Sequence, residues 1–483
     1  MLLESVRLSS IARGSQRPPE RILGSTPRVL FALLAASAIA VCTPSHAKKT
    51  GPAPSNASAP GALATGASAG KAPIVLAKAR KKPHPRHKVR ARDVTPPAPV
   101  VVPVADERQV RSAAAVAREF DRWLDGIELS GDVAGLAAAI VKDDRVLLER
   151  GIGFANASTG ERVGGDTVFR LASLSKAFAT AMAGLLVEDG RLHWDTHVAK
   201  LLPTFTLNKE GAAQKLTVAD ILSHRVGLPH NTYDNLLEQD EPYQVLVSRL
   251  KDVPLACPVG ECYGYQNVAF SLIGDVTYAS TGDFFYHQVE KRIFHPLGMA
   301  TATYGRDALE GSKSWARPHR RTKGGWVPFL PNETYYRVAP AAGVNASIRD
   351  MEQWLVAQMG GRPGVLSPKL LEKLHTPLVE TAREKRASPW RRGRLNDAQY
   401  ALGWRIYDYA GKTLVYHAGA VQGYRAVIAF LPDYRFGAVM LWNSESALPA
   451  GLLPMLLDRY LGLPDVNWAG IDNGDSTSTG SGD

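Results

Sequence analysis

Short runs rich in β-forming residues stand near both ends of this chain, and a long stretch of helical character separates them. Residues 135–140 and 145–151 read as two strands of a hairpin turning at Lys142-Asp143-Asp144. Residues 402–408, 413–417, 424–431 and 437–442 are four further runs, broken by Gly411, Gly419 and Pro432-Asp433. From roughly 171 to 358 the pattern is mainly helical. That order predicts an α+β architecture, an antiparallel sheet flanked by helices, with the helical middle forming a second lobe. The flanking helices are visible in the pattern. Val110, Ala113, Ala117, Phe120, Leu124 and Ile127 recur at helical spacing, one apolar stripe facing a core, and 447–461 is an apolar helix closing the domain. Order is expected from near Glu107, giving one domain over 107–465. No internal repeat is present.

The two ends read differently. Residues 29–41 form an apolar run preceded by Arg7, Arg13, Arg17, Arg21 and Arg28, and Ser45-His46-Ala47 offers a small-x-small cleavage site. This describes a secretory signal peptide over 1–47. A run of that length is short of the about 20 residues a bilayer demands, which ranks a membrane anchor below cleavage. Lipidation at Cys42 ranks lower too, because Val41 is larger than the residue expected there. The net charge of +11 is confined to one arm. Residues 48–92 hold eleven Lys or Arg and no Asp or Glu, leaving 93–483 at −3. The arm includes Lys78, Arg80, Lys81, Lys82, Arg86, Lys88, Arg90 and Arg92, is rich in Ala and Pro, and lacks large apolar residues. It cannot bury enough surface to offset its conformational entropy, so 48–106 reads as a disordered tether. Weak attraction to an anionic cell envelope is the partner it suggests. Nucleic acid is not expected, since the arm has almost no aromatic residues for stacking. The tail 466–483 has no apolar pattern and reads as disordered. Oligomeric state is not legible.

Once the leader is removed, Cys257 and Cys262 remain. An oxidising compartment favours a disulfide between them, across a turn carrying Pro258 and Gly260; a reduced buried pair is the alternative. The spacing is not CxxC and no second pair completes a metal site.

Chemistry enters at Ser173-Leu-Ser-Lys176. Residues 167–171 read as an extended entry, and Ser173 opens the apolar run Ala177, Ala179, Met182, Leu185, Leu186, Val187. A serine there meets backbone N–H groups and the positive end of the helix dipole. Lys176 projects from the same face one turn on. A lysine can take the serine proton only where burial or neighbouring cations keep it neutral. Tyr265-Gln-Asn267 follows the cysteine turn and precedes a buried-looking helix. A phenol of lowered pKa beside that lysine is a candidate general base that could also return the proton to the leaving group, and Asn267 can fix a substrate amide or carbonyl and tie Lys176 down. His417-Ala-Gly419 lies on a strand, where glycine permits close approach of substrate. The backbone N–H groups of Ser173 and Ala420 are candidates for an oxyanion hole. Two of these motifs recur elsewhere, Ser-x-x-Lys at Ser45 and Ser248 and Tyr-x-Asn at Tyr233-Asp-Asn235, and a Gly-x-Ser-x-Gly pentapeptide stands at 66–70. Ser45 falls in the leader and Ser68 in the tether. Ser248 ends a charged stretch, and Tyr233 sits in a polar connection and reads as structural.

In this order the three motifs resemble the serine β-lactamase and penicillin-binding protein superfamily, nearest its class C β-lactamase-like hydrolases. The segments 216–229, 294–299, 339–347 and 400–404 carry the same resemblance. It implies a β-lactamase/transpeptidase-like fold, Ser173 as acylated nucleophile, Lys176 and Tyr265 sharing the proton work, Asn267, His417 and Gly419 positioning substrate, and no cofactor. The expected activity is hydrolysis of an ester, amide or D-amino-acid peptide by an exported, periplasmic or envelope-associated enzyme. A true class C-type β-lactamase or DD-carboxypeptidase is the alternative. Where the family usually carries Lys-Thr-Gly, this chain has His417-Ala-Gly419. An imidazole with an ordinary pKa near 6.5 is only partly charged at neutral pH, which points towards a less anionic substrate.

Overall fold

The structure is a computed structural model that describes residues 102–471. The expected signal peptide, the basic arm and the end of the tail lie outside the described residues. Order reaches further than the sequence suggests at both ends. Ala105 is buried and its N–H donates to Ala410 O at 2.9 Å. Trp468 donates its indole N–H to Asp458 at 2.8 Å.

The stripe expected before the first hairpin forms helix α1 (Ala113–Ser130), which buries Val116, Ala117, Phe120, Leu124 and Ile127 and ends at Gly131. The hairpin pairs β1 (Gly135–Lys142) with β2 (Arg145–Asn156), turning on Asp143, which adopts the left-handed conformation (φ 59°) that Asp tolerates better than most residues. The short β3 (Glu161–Arg162) follows. More than two hundred residues later the chain returns to the sheet with β4 (Val379–Glu380), β5 (Leu395–Tyr400), β6 (Arg405–Tyr409), β7 (Lys412–Val421), β8 (Tyr424–Leu431) and β9 (Phe436–Trp442). The strand order is β3-β2-β1-β9-β8-β7-β6-β5-β4, antiparallel at each pairing. The early and late parts of the domain therefore meet at the β1–β9 seam, where Leu136 pairs with Trp442 and Lys142 with Phe436.

β1 is apolar along its length because both its faces are covered. Leu136, Ala138 and Ile140 face one core, with α1 and the closing helix (Pro449–Leu461). Ala137, Ala139 and Val141 face the other. That second core contains helix α2 (Ser175–Glu188), helix α3 (Leu272–Thr281) and helix α4 (Ile348–Gln358).

The middle of the chain is mostly helical, as expected, but it also holds a small sheet of Phe169–Arg170, Val344–Ala346 and Thr303–Tyr304 and a hairpin of His319–Thr322 with Gly325–Pro328. Pieces of two to four residues are too short to show a period. The strand expected from 402 begins at Arg405, because Gly403 (φ 74°) makes a turn there. A side chain at Gly403 would stand 2.7 Å from Thr180 Cγ2 and 2.9 Å from the carbonyl oxygen of Lys176. The turn thus presses the sheet onto α2 at Lys176.

Candidate active site

Ser173 sits in a single 3-10 turn (Ala172–Leu174), and α2 opens at Ser175, two residues later than expected. Ala172 takes φ 51°, a conformation that costs an L-residue free energy and must be imposed by its surroundings. Ser175 imposes it. Its hydroxyl donates to Ala172 O at 2.7 Å and accepts from Val344 N–H at 3.0 Å, while Leu171 N–H donates to Val344 O at 2.9 Å. Among these buried residues Ser173 alone reaches the surface.

Lys176 is fully buried, and its amine touches three groups. It lies 2.7 Å from Asn267 Oδ1, 3.1 Å from Ala341 O and 3.3 Å from Ser173 Oγ. The first two only accept. A neutral amine has two N–H donors for them and one lone pair, which is left for the serine proton. Burial drives the Lys176 pKa well below its ordinary value, reinforced by the Arg405 cation and opposed by Asp234. The amide of Asn267 cannot turn round, because its Nδ2 donates to Asp234 Oδ2 at 2.7 Å. The oxygen must therefore face the lysine. Burial raises the Asp234 carboxyl, and the Asn267 hydrogen bond and Lys176 pull it back.

Tyr265 is buried against the amine, which lies 4.6 Å from its ring centroid. Burial pushes the phenol up to about 12, while Arg405 and a hydrogen bond with Ser173 pull it down. It keeps its proton at neutral pH. Cys257 and Cys262 are joined by a disulfide in the loop before it. The same stretch is pinned to 224–231 by Gly264 N–H to His224 O (2.9 Å), Tyr265 N–H to His230 Nδ1 (3.2 Å) and Asn231 N–H to Tyr265 O (2.7 Å). On β7, a Cβ at Gly419 would overlap Leu171 O and stand 3.1 Å from Ser173 N. Only glycine lets the strand come this close to the Ser173 turn. The arrangement can deprotonate an alcohol, stabilise an oxyanion and return a proton.

His417 departs from expectation. It has no exposed surface, and burial followed by the Arg405 cation drives its pKa well below 6.5. Its hydrogen bonds agree. Gln266 N–H donates to His224 Nδ1 (3.1 Å), which puts the His224 proton on Nε2, facing Tyr400 Oη at 3.2 Å. Tyr400 Oη lies 3.2 Å from His417 Nε2, and His417 Nδ1–H donates to Ala418 O at 2.9 Å. Both imidazoles are neutral, and the partly charged imidazole expected at the substrate surface is corrected to a buried neutral one. The permanent cation nearby is Arg405. Its guanidinium lies 3.5 Å from His417 Nε2 and 5.4 Å from the Tyr265 ring centroid, and it pairs with Glu384 at 3.3 Å.

Asp234, Arg405, Glu384, His224 and Tyr400 are the residues that motif reading passed over. Asp234 belongs to the Tyr233-Asp-Asn235 segment read as structural. Tyr233 is indeed structural, donating to Arg249 O, but the aspartate next to it holds Asn267. His224 and Tyr400 lie inside segments that carried the family resemblance, without any role to mark them. Ser248 donates to Val245 O within its own helix and takes no part.

Comparison with known proteins agrees with this fold. A family model described as Beta-lactamase matches residues 113–455. The chain is similar to the unguisins hydrolase ungD of Aspergillus violaceofuscus, 28% identical over 362 residues covering 69% of this chain and 62% of the relative. It is also similar to the protein flp of Staphylococcus aureus, 25% identical over 336 residues covering 68% and 63%. It thus spans less than two thirds of those relatives' length. The octameric penicillin-binding protein homologue of Pyrococcus abyssi superposes with a TM-score of 0.63 at 24% identity, covering 72% of this chain and 77% of that one. SurE does so with 0.59 at 20%, covering 74% and 78%. The fold is theirs, and the chain belongs to the beta-lactamase family.

Proposed function

We propose that this protein is an exported serine hydrolase that works through an acyl-enzyme on Ser173 and acts on an ester, an amide or a D-amino-acid peptide. The hydrogen-bond set of Lys176 carries the reading: two acceptors occupy its N–H groups and its third contact is Ser173 Oγ. In the first half-reaction Ser173 Oγ bonds to the substrate carbonyl carbon as its proton passes to Lys176 Nζ. The oxyanion sits on the N–H groups of Ser173 and Ala420. Tyr265 gives its proton to the leaving group as that bond breaks, and the proton held on Lys176 restores the phenol. Water then repeats the sequence on the ester. Proton duties divide by pKa, the amine acting as base and the phenol as acid. The rate rises with pH as Lys176 deprotonates and holds until Tyr265 titrates near 12. Similarity to an unguisins hydrolase supports hydrolytic action. The Cys257–Cys262 disulfide supports export.

Hydrolysis of β-lactams or peptidoglycan stem peptides is the second reading. Arg405 favours it, because a permanent cation stands beside Tyr265 although the third motif has none. The test is covalent labelling by a fluorophosphonate together with turnover of a short-chain nitrophenyl ester and a chromogenic cephalosporin. Ser173→Ala should abolish the label and all turnover with an unchanged melting temperature. Near-normal turnover in that variant ends the assignment, and the preferred substrate of the wild type separates the two readings.

A further inference from the structure

We infer that Arg405, clamped by Glu384, is the fixed cation of this site: a positioning residue that acts through Lys176, Tyr265 and His417 and takes the electrostatic place of the lysine absent from the third motif. The inference rests on the Lys176 base proposed above. Arg405 opens β6, where the sequence offers nothing but the end of Ala-Leu-Gly-Trp-Arg. Its guanidinium lies against His417 Nε2 (3.5 Å) and over the rings of Tyr265 (5.4 Å) and Tyr400 (5.6 Å).

Its position is held from the far side. Glu384 Oε1 pairs with Arg405 at 3.3 Å, Glu384 Oε2 accepts from Tyr407 at 3.1 Å, and Arg391 pairs with the same carboxylate. Burial raises the Glu384 carboxyl, but the two guanidiniums more than offset this and leave it below the usual range. One carboxylate shared by two arginines leaves the cluster with a net positive charge. An arginine cannot shed its proton, so the charge persists at every working pH.

Groups that exchange protons surround that charge. Like charge disfavours the protonated forms of Lys176, His224 and His417, and opposite charge favours ionisation of Tyr265; Arg405 contributes in that direction at all four. The remaining charged groups facing Lys176 are few. Asp234 opposes the effect through Asn267, and the histidines are neutral. A lysine at position 417 would have placed its cation on β7; here the cation comes from the neighbouring strand and the imidazole fills the gap between them.

The experiment follows the pH dependence of fluorophosphonate labelling of Ser173, which needs no natural substrate. Arg405→Met should move the acid limb of the labelling rate to higher pH by about one unit, since removing a nearby like charge eases protonation of Lys176. Arg405→Lys should keep the wild-type midpoint, which a purely structural role for the planar guanidinium does not predict. Glu384→Gln, which leaves the cation less compensated, should move the limb the other way. An unchanged midpoint in folded Arg405→Met overturns the inference. So does a loss confined to carboxylate-bearing substrates at an unchanged midpoint, which would make Arg405 a substrate anchor. Absence of labelling in the wild type would instead remove the Ser173–Lys176 reading beneath it.

Discussion

Gly419→Ala tests whether the close approach of β7 to the Ser173 turn builds the oxyanion hole. The added Cβ would overlap Leu171 O, stand 3.1 Å from Ser173 N and 3.2 Å from Ala172 Cβ. None of these atoms can swing aside: two are backbone, and Ala172 is already held at positive φ by the Ser175 clamp. The strand must retreat by about 1 Å, and a displacement of that size in a catalytic constellation costs on the order of 10²-fold. Loss of one oxyanion donor alone costs about 10²–10³-fold in kcat, or roughly 3–4 kcal/mol. Overpacking also destabilises, by about 1–3 kcal/mol, so a control must show the same clash elsewhere. Gly135→Ala supplies it. Its Cβ would overlap Phe154 O and stand 2.8 Å from Val163 Cγ2, on β1 and away from Ser173. Both variants should lose a few degrees in melting temperature, while only Gly419→Ala should lose kcat on the nitrophenyl ester. If Gly419→Ala turns over within a few-fold of wild type, or Gly135→Ala falls as far, the oxyanion hole is not where β7 meets Ser173.

Asp234→Ala leaves Asn267 Nδ2 buried without its acceptor, at about 1–3 kcal/mol, and frees the amide to turn its NH₂ towards Lys176. The kcat should fall about tenfold or more. Because Asp234 favours the charged lysine, the acid limb should also move to lower pH, opposite to Arg405→Met; an unmoved limb in the labelling profile would show that Asp234 does not reach the base. His417→Lys would bury a second cation against Arg405, where Tyr400 and Ala418 are the neighbours. It should destabilise the fold by several kcal/mol, read as a lower melting temperature, and a fully stable variant that gains cephalosporin hydrolysis would refute the buried placement of this side chain.

The parts of the fold that run long with one period were legible. The α1 stripe, the first hairpin and β7 to β9 each repeat an apolar pattern that burial on one or both faces demands. β5 was not, because Leu-Asn-Asp-Ala-Gln-Tyr spends its polar residues near the exposed edge and shows little of a strand's period. The two-residue β4 is too short to show any. At the site, the order of the motifs and the family resemblance singled out Ser173, Lys176, Tyr265 and Asn267, and the structure brings these four side chains together.

Residues that act on those groups from behind carry no such signature, since their partners lie far away in the chain. Asp234 reaches Asn267 across 33 positions, and Glu384 reaches Arg405 across 21. His417 shows the cost of reading one letter at a time. Its substitution for lysine looked like the loss of a cation, and a less anionic substrate followed from that. In three dimensions the imidazole is sealed under the strand, and a guanidinium one strand over carries the charge instead. The net charge of a site belongs to the volume it occupies. A motif comparison along one strand counts part of that volume, so the missing lysine by itself says little about which substrates this protein excludes.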